Sequence, residues 1–324
     1  MRRRHFLKGV GAGAMAVLFA PAVQAQRLGK IDLLVTTSPP DPNAHYFWWA
    51  VENGFYRDAG VEISIRSIVS DTTTVRGLVA GEADLGWAGA GSGMKAMAAG
   101  SRLKILTSFG PRLDFIIVAN KSVADLKALA NRPFAVSQIG AVSHTVARLM
   151  IERIGGDSGA VQWLSVGSGS ARLQALSAKR VDATILNSLQ AVAAIRSPAL
   201  HAIGNGLTDL PNFLYSWEIV TQDALKAKAE PLKAFAAATS RGVAWGMAHP
   251  EDAAKISQKL LPNIPPDDIA HVVKTYAANR YFEPSGAVRR TDWDYTVDAM
   301  MKYGDLTQKL KYDDFVLQDF AQKT

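Results

Sequence analysis

Six short loops carry most of the residues whose chemistry is usable, and that chemistry is the holding of a ligand. Each loop follows an apolar run and precedes a helix-like segment. The first offers Ser38, Asn43, His45 and Tyr46, and the second Ser70-Asp71-Thr72-Thr73-Thr74. The third is Trp87-Ala88-Gly89-Ala90-Gly91-Ser92, where glycines admit a ligand close to the backbone and the indole can form a flat wall. Ser137 with Gly140-Ala141-Val142-Ser143-His144, then Gly167-Ser168-Gly169-Ser170, are hydroxyl- and glycine-rich helix starts, and Asn187-Ser188 closes the set. Free N–H groups and the helix dipole suit such starts to anions. Each residue also has a plainer role open to it. Asn43 and Asp71 can cap helices, His45 can lie on the surface, and Trp87 can be core.

Signatures of bond-breaking are missing. Gly89-Ala90-Gly91-Ser92-Gly93 puts serine fourth, so it is not G-x-S-x-G, and neither G-x-G-x-x-G nor a P-loop occurs. No two of His45, His144, His201, His249 and His271 stand at i, i+4, so a helical metal site is not expected, and no cofactor is called for. The absence of cysteine excludes disulfides, thiolate metal sites and a cysteine nucleophile.

The 324 residues are 48% hydrophobic and 20% charged, the composition of a globular protein of about two domains. The net charge of +7 is concentrated at the start, since residues 1–25 hold Arg2, Arg3, Arg4 and Lys8 and no acid. Without them 32 basic and 29 acidic residues remain, a balance of +3, scattered without a basic block. Nucleic-acid binding is therefore not expected. Residues 1–25 read as an export signal: Arg3-Arg4-His5-Phe6-Leu7-Lys8 matches the twin-arginine pattern, an apolar stretch follows, and Val23-Gln24-Ala25 supplies small residues for cleavage near Ala25. The stretch is too short to span a bilayer. A soluble, exported protein located in the periplasm is expected.

The elements that must position the loops follow the apolar periodicity. Strands are expected at 31–37, 61–65, 84–87, 103–108, 115–119, 134–137, 161–166 and 183–186, alternating with helices capped by Asn43, Asp71 and the serine-rich starts. Beyond about 225 only helices are expected. That alternation predicts an α/β fold with mainly parallel sheets flanked by helices. An internal echo, Leu78-Val79-Ala80-Gly81-Glu82-Ala83-Asp84 against Leu176-Ser177-Ala178-Lys179-Arg180-Val181-Asp182, places one copy of a helix–turn–strand unit in each of two lobes.

The succession Ala44-His45-Tyr46-Phe47-Trp48-Trp49-Ala50-Val51-Glu52-Asn53-Gly54-Phe55-Tyr56-Arg57-Asp58-Ala59-Gly60-Val61-Glu62-Ile63 resembles the first helix and second strand of nitrate/sulfonate/taurine-type, thiamine-pyrimidine-binding-like substrate-binding proteins of ABC importers. Gly77-Leu78-Val79-Ala80-Gly81-Glu82-Ala83-Asp84-Leu85-Gly86, Arg180-Val181-Asp182-Ala183 and His249-Pro250-Glu251-Asp252-Ala253 resemble further stretches of that family, whereas Ala130-Asn131-Arg132-Pro133 departs from its usual Gly-Lys. The resemblance implies a two-lobed periplasmic-binding-protein type II clamp, with lobe 1 at 26–118 plus 214–324 and lobe 2 at 119–213. Ligand would lie between the lobes, with Trp217 and Glu218 on the return hinge either closing the pocket or belonging to lobe 1 core. It implies a monomer that delivers a small molecule to an ABC permease in the inner membrane, with no catalysis. The helix starts favour a small organic anion, a sulfonate or a carboxylate. Pro42-Asn43-Ala44-His45 resembles a stretch of pyrimidine-precursor binders and leaves that ligand as the alternative, and an exported enzyme or a ligand-loaded sensor subunit remain alternatives on the same fold.

Overall fold

The computed structural model describes residues 29–322, so the expected export signal at 1–25 lies outside the described residues. Ten strands form two five-stranded sheets. The first contains β1 (Gly29–Thr36), β2 (Val61–Ile68), β3 (Leu85–Gly89), β4 (Leu103–Thr107) and β10 (Ser216–Thr221), in the order β2-β1-β3-β10-β4. The second contains β5 (Phe115–Asn120), β6 (Pro133–Val136), β7 (Gln162–Ser165), β8 (Ala183–Asn187) and β9 (Leu200–Asn205), in the order β7-β6-β8-β5-β9. The two orders are the same pattern, and each sheet has one inverted strand. β10 runs antiparallel to β3 and β4, and β5 antiparallel to β8 and β9, while the other pairings are parallel. Four strands of each sheet thus share a direction, as the alternation implies, but the sheets are mixed.

Each inverted strand is the first one after the chain changes sheet. The chain leaves the first sheet after Thr107 and enters the second at Phe115, then leaves it after Asn205 and returns at Ser216. Two segments therefore join the lobes. β9 and β10 fall outside the expected strands. In β10 the apolar run is interrupted by Glu218, which is wholly buried, and that hides the strand from an apolarity pattern.

Local chemistry accounts for most element ends. β3 and the second half of β1, residues 33–36, are buried on both faces, as central parallel strands are. Ser168 and Asn187 cap the helices Gly169–Ser177 and Ser188–Ile195, accepting from Ala171 N–H at 3.2 Å and Gln190 N–H at 2.8 Å. Two expected caps are corrected. Ser70, not Asp71, caps Asp71–Val79, accepting from Thr73 N–H at 3.3 Å, because Asp71 turns to the neighbouring strand. Asn43 caps nothing: it sits in a short 3-10 turn, Pro42–Ala44, ahead of the helix Tyr46–Glu52.

The internal echo is a helix C-terminus of one geometry built twice. Glu82 N–H bonds to Gly77 O and Gly81 N–H to Leu78 O. In the second lobe Arg180 N–H bonds to Ala175 O and Lys179 N–H to Leu176 O. This double bond pattern needs a left-handed residue after the helix. Gly81 takes it freely at φ 79°, and Lys179 takes it at φ 55° despite its side chain.

Helices from the C-terminal third cover the first sheet. In Ala229–Ala248, Gly246 faces Trp49, whose indole is fixed by bonds to Ala253 O at 3.1 Å and Ser257 Oγ at 3.2 Å. A Cβ on Gly246 would lie 2.2 Å from the Trp49 ring. Gly246→Ala is expected to lower stability by about 1–3 kcal/mol, the usual cost of overpacking a core. Urea unfolding checks it, and an unchanged midpoint would mean the ring moves freely.

Candidate functional site

The six loops leave the carboxyl ends of β1, β2, β3, β6, β7 and β8 and meet between the two sheets, where open α/β sheets place ligands. They line two adjoining cavities. The first, about 580 Å³, lies between Ser70, Asp71, Thr72, Ser92 and Lys95 of one lobe and Phe115, Ser137–Ser143 and Arg172 of the other. The second, about 490 Å³, is bounded by Ser38, Asp41 and Val69 on one side and by Ser168, Leu173 and Asn187 on the other. Val69 and Ser70, and Arg172 and Leu173, are the borders between them.

Of the residues expected at the site, Asp71, Thr72, Ser137 and Ser143 line the first cavity, and Ser38, Ser168 and Asn187 the second. Gly89 stands behind Asp71, its N–H donating to Asp71 Oδ1 at 2.9 Å. A Cβ there would lie 2.8 Å from the carboxylate, so the close approach needs glycine. Burial raises the Asp71 pKa above the usual carboxylate value.

The remaining expected residues line neither cavity. Tyr46 and Glu218 are wholly buried and joined to each other, the phenol donating to Glu218 Oε1 at 2.5 Å while Thr107 Oγ1 donates to Oε2 at 2.9 Å. Trp217 packs on Trp293, with ring centroids 5.8 Å apart, in lobe 1 core. Trp87 is buried with the aromatic core of the same lobe. His45 has no exposed surface: its Nε2 lies 3.0 Å from Pro40 O, and burial lowers its pKa to about 4. Asn43 is equally buried, with Nδ2 donating to Asp114 Oδ2 at 3.4 Å and to the Tyr215 hydroxyl at 3.3 Å. His144 faces Trp163 edge-on at 4.7 Å and accepts from Gly140 N–H through Nδ1 at 3.1 Å. Burial, then the nearby charge of Arg148, lowers its pKa.

Ser143 organises the second lobe's face of the first cavity. Its Oγ accepts from Ser137 N–H at 3.0 Å and lies 2.8 Å from Ser137 Oγ, which folds the loop over the start of the helix Val142–Arg153. Ser143→Ala leaves that N–H without its partner. A loss of about 1 kcal/mol of stability and a several-fold loss of ligand affinity are expected, read by urea unfolding and calorimetry. Unchanged affinity would remove this loop from the site.

Arg172 lines the first cavity and is absent from the sequence expectation. It is 6% exposed, with Nε donating to Ile185 O at 3.0 Å and Nη1 to Gly167 O at 2.5 Å. No carboxylate pairs with it among the described residues, and burial alone lowers its pKa, to about 10. A signal for it exists in the sequence: an arginine in the first turn of a helix opposes the dipole and needs a reason to be there. Lys95, also missed, reaches across the cleft to Gly140 O at 3.3 Å while paired with Asp305 at 3.1 Å. Among the described residues no group of three or more His, Cys, Asp or Glu is arranged to hold a metal ion, and no helix is long and apolar enough to cross a membrane.

Two mixed five-stranded sheets of identical order, joined by two crossing segments with a cleft between them, define the fold of the two-lobed periplasmic solute-binding proteins. The family pattern described as NMT1/THI5 like matches residues 41–253, and the chain belongs to that family. Similar solved structures include the periplasmic aliphatic sulphonate-binding protein SsuA from Escherichia coli, at 16% identity and TM-score 0.72 over 89% of this chain and 92% of that one. SsuA from Xanthomonas axonopodis pv. citri bound to MOPS is similar at 15% identity and TM-score 0.71, over 90% and 99%. The nitrate-binding protein NrtA from Synechocystis PCC 6803 is similar at 13% identity and TM-score 0.70, over 91% and 88%. At these identities the likeness is one of fold. No protein of curated function matches the sequence significantly.

Proposed function

We propose that this protein is the solute-binding subunit of an ABC importer, working in the periplasm after removal of residues 1–25, and that its solute is a small organic anion such as a sulfonate or a carboxylate. Lobe 1 at 26–118 plus 214–324 and lobe 2 at 119–213 close on the solute by a hinge motion, without turnover, and the monomer delivers it to a permease. The observation that carries the anion is Arg172. A buried guanidinium with only carbonyl partners is a desolvated charge without compensation, and an anionic group in the first cavity would supply it. Ser137, Ser143 and the N-terminal turn of Val142–Arg153 lie on the same wall and add donors. A pyrimidine ligand centred on Asn43 and His45 has less support, because both side chains are wholly buried.

A thermal-shift screen of the purified protein against alkane- and arylsulfonates, nitrate, aromatic carboxylates and thiamine-precursor pyrimidines tests this reading. A ligand at about 100 times its Kd should add about 2.7 kcal/mol to the native state and raise the melting temperature. A rise with an organic anion is expected. A rise with pyrimidines alone, or with nothing, contradicts the proposal.

A further inference from the structure

The second-lobe helix Val142–Arg153 carries Val142, Thr145, Arg148 and Glu152 on one face, at steps of three, three and four residues. Each of them meets the first lobe. Thr145 Oγ1 donates to Asp305 Oδ2, and Glu152 Oε2 accepts from Lys302 Nζ. The Arg148 guanidinium lies over the Tyr303 ring, 4.1 Å from its centre. At the cavity end Val142 seats on Gly91, where a Cβ would lie 2.6 Å from Val142 Cγ2. Asp305 is also paired with Lys95, whose Nζ donates to Asp305 Oδ1 at 3.1 Å and to Gly140 O of the second lobe at 3.3 Å.

The partners belong to the first lobe by their packing, since Trp293, Val297 and Met300 of the helix Arg290–Lys302 are buried with Trp217 and Ile219 of the first sheet. Ala299 of that helix shares a buried cluster with Leu210 and Phe213 of the returning segment. The contacts thus form a seam that starts beside the hinge and ends at the first cavity. A rotation about the two crossing segments that parts the lobes must part this seam. Its members differ in weight. Lys302 is 58% exposed, and an ion pair of that kind contributes little. The Asp305 side chain is 7% exposed, so the Thr145 bond to its carboxylate is charge-assisted and shielded from water. Lys95 cancels the Asp305 charge within the first lobe, so no unpaired carboxylate is left behind when the seam opens.

We propose that this seam is a clasp. Thr145 on Asp305, Gly140 O on Lys95 and Val142 on Gly91 hold the lobes together before a solute arrives and keep the Ser137–Ser143 wall in place. The inference rests on the hinge motion proposed above and is independent of the solute's charge. Thr145 and Asp305 are then positioning residues: they line neither cavity, and they raise affinity by keeping the binding-competent arrangement populated.

The test is pulsed dipolar spectroscopy on the protein without solute. The chain has no cysteine, so Arg76→Cys and Gln174→Cys take one nitroxide each, at exposed positions of the corresponding helices Asp71–Val79 and Gly169–Ser177 of the two lobes. One short separation is expected in the otherwise unaltered protein. Thr145→Val keeps the shape and loses the hydroxyl, and should raise the ratio of parted to closed molecules at least about fivefold. Thr145→Ser keeps the hydroxyl and should leave that ratio as it was. Gly91→Leu drives a wedge into the same seam and should lengthen the separation whatever Thr145 does. Lengthening by Gly91→Leu but none by Thr145→Val overturns the clasp and leaves the hinge standing. No lengthening in either variant overturns both. A mainly long separation in the otherwise unaltered protein, or equal lengthening by serine and valine, also overturns the clasp.

Discussion

Arg172→Gln is expected to lose the organic-anion response almost entirely, with affinity falling by about a hundredfold or more in calorimetry, while the fold survives. The expectation follows from where the charge sits. The guanidinium is buried at the wall of the first cavity, bonded to two backbone carbonyls and to no carboxylate among the described residues. A charge-assisted bond to a ligand anion there is made in low dielectric, and truncating one partner of such a pair costs about 2–5 kcal/mol. Glutamine keeps a donor for one of the carbonyls but brings no charge. Arg172→Lys separates charge from geometry: the ammonium stays cationic but cannot reproduce the planar fork, so an intermediate loss is expected. The melting temperatures of the unliganded variants serve as the structural control. If Arg172→Gln binds the anion as tightly as the wild type, the first cavity is not the anion site.

Stability is expected to fall as pH rises from about 5 to about 8, the reverse of what exposed carboxylates produce. Burial raises the Glu218 pKa from 4.5 to about 7, against the opposing bonds from Tyr46 and Thr107, and raises Asp114 and Asp41 to about 7 and about 6. A carboxyl with a raised folded value holds a proton in the native state that the unfolded chain has released. Its stabilisation is therefore greatest at low pH and is lost as pH climbs through the folded value. His45 works against this in part: with its folded pKa lowered to about 4, it favours the native state as pH rises towards 6.5. One histidine opposes three carboxyls, so the net slope stays negative. For Glu218 the shift corresponds to about 3 kcal/mol by pH 8. Glu218→Gln should thus be more stable than the wild type at pH 8, with little gain at pH 5, because an amide can serve both hydroxyl partners without a buried charge. Urea unfolding at the two values checks this, and equal offsets at both would show that Glu218 does not titrate.

The alternation of apolar runs with helix starts was enough to place eight of the ten strands and to mark the loops that line the cleft. What it could not show is instructive in physical terms. β10 was hidden because Trp217 and Glu218 look like functional residues in one dimension, yet they are held in the core by Trp293, Tyr46 and Thr107. The same holds for His45 and Asn43, whose Nε2 and Nδ2 are met by Pro40, and by Asp114 and Tyr215, from segments close in space but, for the last two, far along the chain. Serines and glycines at helix starts were legible because capping and anion binding both use local backbone N–H groups. Arg172 was not, because what marks it is the lack of a charge partner, and that is a property of the whole surrounding fold.

The most direct measurement is anomalous diffraction from crystals grown with a bromine-substituted aryl anion, a sulfonate or a carboxylate, selected in the thermal-shift screen. The bromine signal is expected between the lobes, with the anionic group on Arg172 and beside Ser137 and Ser143. A signal outside the first cavity, with nothing at Arg172, would contradict the anion-binding account.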